Sequence, residues 1–320
     1  MATEAELIAA LSTIFSEHPG PGVEIGIGDD GAVLLPPSTK QIAVADMAVE
    51  GVHFRRDWSS LTQIGAKITT ANVADILAMG AKPTYLLVTA GLPADFSVAE
   101  MIELAQGIRN EADRVGATVV GGDLSVSPVM VISIMALGES ESPILRSGAK
   151  VGDMVFVSAL PGWSAAGLAC LTAGASDAKA VAAHLKPTVD YALARQLAAA
   201  GINSLCDISD GLISEAHHLS DASQVRFVLE PDFLSASPEF AELSVLALKL
   251  GTDVWRWICG GGEDHLFLGT TSDPSVLPSE VMVIGRVVSG RGVELVGKSE
   301  FEKVGYSHFQ AVVSELPFRP

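Results

Sequence analysis

The chain is poor in aromatic rings, in cysteine and in positive charge. Aromatic residues make up 6% of its 320 positions, so its interior has to be filled by aliphatic side chains and alanine. The three cysteines, Cys170, Cys206 and Cys259, are far apart and show no C-x-x-C spacing. That excludes a disulfide framework and a zinc ribbon, and they read as small buried apolar residues in a reducing compartment. Lys and Arg number 20 against 38 Asp and Glu, a net charge of −18. Such a balance argues against nucleic acid or an anionic membrane as the main partner. The most apolar segment, 126–137, carries a proline and two serines; it is too short to cross a bilayer and reads as a buried strand. Residues 1–11 are acidic and lack a basic stretch followed by an apolar run, so no secretory signal is expected and the location predicted is cytoplasmic.

Familiar nucleotide and hydrolase signatures are missing too. There is no G-x-x-x-x-G-K-[ST] loop, no protein-kinase motif set and no G-x-S-x-G elbow. Gly26-Ile27-Gly28 begins like a dinucleotide fingerprint, but the third glycine is misplaced and Asp29-Asp30 would repel a pyrophosphate.

What the chain does have is glycine beside aspartate. Of its 31 glycines, many flank acidic residues in Gly28-Asp29-Asp30-Gly31, Gly121-Gly122-Asp123, Asp207-Ile208-Ser209-Asp210-Gly211 and Gly260-Gly261-Gly262-Glu263-Asp264. Asp46 and Asp75 add two further carboxylates among small residues. Any single cluster reads as turn chemistry. Six in one chain, several directly after apolar runs, suggest carboxylates gathered at the ends of elements along a sheet edge. Carboxylate oxygens are hard ligands suited to Mg²⁺, which keeps some water and shares its remaining positions with substrate phosphates. Adjacent glycines let backbone N–H groups approach phosphate oxygens closely. The pattern therefore points to metal-bridged nucleotide chemistry.

Periodicity predicts a chain that alternates strands and helices. Strands are expected at 41–45, 85–92, 118–120, 129–137, 154–158, 205–208, 226–229 and 281–287, and helices at 61–79, 98–115, 189–200, 212–220 and 239–250, with another starting near Ser164. Gly, Ser and Pro accumulate over 139–150. The economical reading is an α/β (α+β) protein of two mixed domains, 1–145 and 146–320. In the helix over 61–79, Asn72 and Asp75 are three apart and share a face. They read either as solvated surface or as a carboxylate aimed into a site by a closely packed helix.

The ordered motifs GIGDDGAVL (from Gly26), VEGVHF (from Val49), ANVADILAMGAKP (from Ala71), VVGGD (from Val119), RSGAKVGD (from Arg146), DISDGL (from Asp207), GGGED (from Gly260) and GYSHF (from Gly305) span almost the whole chain. In this order they resemble the thiamine-monophosphate kinase family, within the superfamily that includes aminoimidazole ribonucleotide synthetase. The resemblance implies a homodimer whose N-terminal domains join their β-sheets, with a C-terminal α/β domain closing over the nucleotide. It implies direct transfer of the ATP γ-phosphoryl group to thiamine monophosphate, giving thiamine diphosphate, with several Mg²⁺ ions. The family's metal ligands fall on Asp30, Asp46, Asp75, Asp123, Asp207 and Asp210. Its nucleotide contacts fall on Gly122, Asp123, Arg146 and Ser209, and its thiamine-side contacts on His53, Glu263 and Tyr306. Asp210 and Arg146 would act on the transferring group. A sibling ATP-dependent ligase and a non-catalytic nucleotide-binding homologue are the alternatives.

Five residues depart from the family pattern. Val44-Ala45 stands where Ser-Thr precedes the aspartate, Leu124 where a threonine follows Gly-Gly-Asp, His265 where a tyrosine follows Gly-Glu-Asp, and Ser307 where an aspartate precedes the last histidine. The carboxylates themselves are intact.

Overall fold

The computed structural model describes residues 3–15, 20–25, 32–36 and 38–306. Contacts divide them into two compact units, one within Met1–Ile76 and Ala81–Ser142, the other within Leu77–Gly80 and Pro143–Pro317.

The first unit contains α1 (Glu4–Phe15), a small antiparallel pair β1 (Val23–Ile25) and β2 (Val33–Leu34), then β3 (Lys40–Val49), α2 (Leu61–Ala78), β4 (Lys82–Leu92), α3 (Val98–Val115), β5 (Thr118–Val126) and β6 (Val131–Ser140). Its main sheet has the order β3-β6-β4-β5, with only β4 and β5 parallel. That parallel pair needs a crossover, and α3 supplies it. Helix α3 forms where its sequence says it should. Ser97 and Glu100 make a reciprocal capping box, and Gly116 closes the last turn. Along β3 and β6 the even-numbered residues Ile42, Ala48, Ile132, Ile134 and Ala136 are buried, while Met47 and Met135 on the opposite face are exposed.

Two strands run longer than their apolar stretches predict. β3 extends over ten residues, and β5 continues through Gly121-Gly122-Asp123 to Val126. A Cβ on Gly122 would lie 1.8 Å from Val88 O. The glycine pair is thus a place where β4 and β5 backbones nearly touch, inside a strand and not in a turn.

The second unit is built on a six-stranded sheet. In chain order it comprises β7 (Met154–Val157), α4 (Trp163–Ala173), α5 (Ala178–Leu185), α6 (Tyr191–Ala199), β8 (Ser204–Asp207), α7 (Leu212–Ser223), β9 (Arg226–Leu229), α8 (Pro231–Ser235), α9 (Pro238–Lys249), α10 (Val254–Gly260), β10 (Phe267–Thr271), β11 (Met282–Val288) and β12 (Gly292–Leu295). The strand order is β12-β9-β11-β7-β10-β8, antiparallel throughout except for β12 with β9. Val155, Phe156 and Val157 of the central strand are fully buried. The apolar cores of α4, α7 and α10 pack with this sheet. All three cysteines are buried and none is in a disulfide, and burial pushes the Cys259 thiol up to about 12, the character of an inert packing residue.

Candidate active site

Each unit carries its own set of the predicted site residues. In the first unit, α2 and β3 bring Asp46 and Asp75 to one region. Asn72, fully buried, accepts the Asp46 backbone N–H through Oδ1 at 3.1 Å, and Ser133 Oγ donates to the Asp46 carbonyl at 3.1 Å. Asp75 follows one turn later on the same helical face and is half-buried. Lys67 of the same helix is 8% exposed. The surface reading is therefore wrong for Asn72 and Lys67, which are used inside the unit, while Asp75 keeps partial exposure.

Asp123 does not join them. It lies on β5, paired with Thr89 of β4, whereas Asp46 lies on β3, paired with Ile134 of β6. Three strand spacings separate β3 from β5, roughly 14 Å. Neither Asp46, Asp75 nor Asp123 sits at an element end, as the turn-like composition suggested; all three project from within strands or a helix. Asp30 and its glycine neighbours lie outside the described residues, as do residues 307–309 of the GYSHF motif.

The VEGVHF segment turns out of β3. Glu50 accepts from Arg56 Nε at 2.7 Å and from the Met130 backbone N–H at 3.0 Å. The Val49 N–H donates to His53 Nδ1 at 3.0 Å. An accepting Nδ1 places the ring proton on Nε2, which makes that nitrogen a hydrogen-bond donor.

In the second unit three distant motifs meet where β8 leads into α7. The Ile208 N–H donates to Leu266 O at 2.7 Å, the His265 N–H to Ile208 O at 3.0 Å, the Glu263 N–H to Ser209 O at 2.8 Å, and the Tyr306 N–H to Asp210 O at 3.0 Å. DISDGL, GGGED and the Gly305-Tyr306 pair are thus zipped together by backbone hydrogen bonds. Gly211 makes this possible. Its φ is +110°, and a Cβ there would come within 2.9 Å of the Gly260 backbone. Glu263 and His265 also have left-handed φ values, +63° and +51°, at a cost of roughly 1–2 kcal/mol each. The Tyr306 phenol is pushed up by partial burial and then by the negative charges of Asp210 and Glu263, which places all three groups in one field.

Arg146 and Ser209 are linked by a residue that the motifs did not single out. Glu215 of α7 is 1% exposed. Ser209 Oγ donates to its Oε1 at 3.4 Å, Arg146 Nη2 lies 3.9 Å from Oε2, and His218 Nδ1 donates to Oε2 at 2.9 Å. The hydrogen bond to Glu215 raises the His218 imidazole against the opposing effect of burial, with Glu215 and Asp210 charges adding and Arg146 subtracting. A charged residue on the buried stripe of α7, three positions after Leu212, was the available signal.

Three further polar groups lie behind the GGGED loop. Asp264 accepts from the Gly162 and Ser164 backbone N–H groups at 2.6 and 2.9 Å, capping α4 from a distance. Burial pushes its carboxyl up to about 6 in spite of those two bonds. His184 of α5 stands 3.2 Å from Ser164 Oγ and 3.7 Å from Glu263 Oε2. His265 Nδ1 donates to Asp207 Oδ2 at 3.0 Å, with both side chains buried.

The donor set is carboxylate throughout, which fits a hard cation such as Mg²⁺. Among the described residues no three His, Cys, Asp or Glu side chains come together closely enough to hold an ion by themselves.

The two-unit architecture with carboxylate-glycine loops defines a class. Residues 28–140 match the family model described as AIR synthase related protein, N-terminal domain. The chain belongs to the thiamine-monophosphate kinase family. It is 38% identical over 292 residues to thiamine-monophosphate kinase of Mycobacterium tuberculosis, covering 90% of this chain and 86% of the relative. The crystal structure of thiamine monophosphate kinase from Aquifex aeolicus matches with a TM-score of 0.75 at 32% identity, over 82% of this chain and 90% of that one. The structure of AaThiL complexed with AMPPCP and TMP matches with a TM-score of 0.78 at 31% identity, over 97% of this chain and 99% of that one.

Proposed function

We propose that the protein transfers the γ-phosphoryl group of ATP to thiamine monophosphate, forming thiamine diphosphate and ADP. The observation that carries this reading is the backbone zipping of DISDGL to GGGED and Tyr306, which sets Ser209, Asp210 and Glu263 around one helix N-terminus. In the step, an oxygen of the acceptor phosphate forms a bond to the γ-phosphorus as the bond to the β–γ bridging oxygen breaks. The acceptor is ionised near neutral pH, so no side chain need remove a proton. Two anions must approach, and Arg146, held near Glu215, places a positive charge beside the transferring group. The N-terminal N–H groups of α7 and the Ser209 hydroxyl suit phosphate oxygens. His53 Nε2–H, Glu263 and Tyr306 serve the acceptor, the phenol ring by stacking on a thiamine ring.

Asp30, Asp46, Asp75, Asp123, Asp207 and Asp210 would hold Mg²⁺, which when bound neutralises charge on the phosphates and draws the two anions together. Gly122 and Asp123 would contact the nucleotide. A homodimer accords with the separation of Asp46 and Asp123 on opposite edge strands, β3 and β5, and with the exposed Met47 and Met135 on the open sheet face. Among the described residues no helix is long and apolar enough to cross a membrane.

A panel of phosphorylated acceptors tests the assignment by ADP release. Thiamine monophosphate should support release above the rate without acceptor. Release driven instead by a formylglycinamidine-type ribonucleotide would favour the ligase reading, and tight ATP binding without turnover the non-catalytic one.

A further inference from the structure

The Asp207 carboxylate is gripped by a side chain with no part in the scheme above. His265 Nδ1 donates to Asp207 Oδ2 at 3.0 Å, and the two side chains are 7% and 3% exposed. The ring is fixed by its own backbone. The His265 N–H donates to Ile208 O at 3.0 Å, and the next carbonyl, of Leu266, accepts the Ile208 N–H at 2.7 Å. Its φ of +51° favours Asn, Asp or His among residues with a side chain. Of these, only His and Asn can donate from the δ position, and Asp would set a second carboxylate against Asp207. A tyrosine, the residue expected from the family pattern, carries its hydroxyl at the far end of the ring.

We infer that His265 is a positioning residue for the metal site. It locks the Asp207 carboxylate in one orientation with Oδ2 engaged, so that the cation meets a preordered ligand. Hydrogen-bonded supports behind metal-binding carboxylates act in this way, and removing them typically weakens metal affinity. The inference rests on the reading of Asp207 as a metal ligand.

The test is Mn²⁺ binding to the full chain, followed by electron paramagnetic resonance in the presence of a non-hydrolysable ATP analogue. Three His265 variants separate the contributions. His265→Phe keeps the ring without the donor, His265→Gly removes the ring without backbone strain, and His265→Asn keeps a donor at the δ position. If one donorless variant fails to fold by circular dichroism, the other carries the comparison. His265→Phe and His265→Gly should weaken Mn²⁺ binding by about 10–100-fold, His265→Asn should stay close to the parent, and Asp207→Asn should weaken binding at least as much as the donorless variants. Parent-like binding by folded donorless variants, with weak binding by Asp207→Asn, would overturn the positioning role and leave the metal reading standing. Parent-like binding by Asp207→Asn would overturn the metal reading and this inference with it.

Discussion

Asn72 ties the middle of α2 to the middle of β3. Its Oδ1 accepts the Asp46 backbone N–H at 3.1 Å, and its own amide donates to Ile68 O at 2.9 Å. No part of the Asn72 side chain reaches solvent, and the Asp46 N–H that it engages is part-buried. Asn72→Ala therefore leaves a part-buried strand N–H without its acceptor and opens a small void, at a cost of about 2 kcal/mol. Urea unfolding should show a lower midpoint with an unchanged slope. An unchanged midpoint would mean that the bond between helix and strand carries no weight.

Glu215 is expected to control its neighbours through charge. Because His218 is raised mainly by its hydrogen bond to Glu215, Glu215→Gln should lower the His218 pKa in an NMR titration of the ring protons. A raised imidazole contributes stabilisation that is fully present below the unfolded value, about 6.5, and is lost as pH rises through the folded value. Glu215→Gln should flatten the stability profile over that window. An unmoved His218 titration would contradict the pairing.

Asp264 makes the same argument with a carboxyl. Its value of about 6 lies above the ordinary 3.8. The folded state therefore binds its proton more tightly than the unfolded chain does. The resulting stabilisation is complete below about 3.8 and is lost as pH rises through about 6. Asp264→Asn, a mimic of the protonated form, should be free of this dependence. The difference in stability between parent and variant should shift toward the parent by on the order of 3 kcal/mol as pH falls from neutral to about 4. A pH-independent difference would mean that burial does not dominate the Asp264 environment.

These groups also mark how far the sequence could be read. Helix α3 was legible end to end because capping, amphipathic period and terminal glycine agree over Val98–Val115. β9 was equally plain, with the apolar run Phe227, Val228 and Leu229 after Arg226. β5 was cut short at Gly121 because a glycine pair reads locally as a turn; only the approach of β4 shows that it is strand. β10 went unread, since Phe267–Thr271 is a short run interrupted by Gly269. The Asp-Gly composition pointed to Asp207 at a strand end, but Asp46, Asp75 and Asp123 sit inside elements, where tertiary packing decides what a carboxylate faces. Glu215 and His184 were missed, and the partners of Asp264 and His265 went unread, because each takes its meaning from a partner distant in the chain or from burial, neither of which a local pattern records.

Phosphoryl transfer to thiamine monophosphate is read from the reaction product. Purified protein given ATP, Mg²⁺ and thiamine monophosphate should form thiamine diphosphate and ADP in equal amounts, and Asp210→Asn, folded to the same extent, should form neither at an appreciable rate. Folded wild-type protein that makes no thiamine diphosphate under these conditions, or Asp210→Asn that makes it as fast as wild type, would contradict the account.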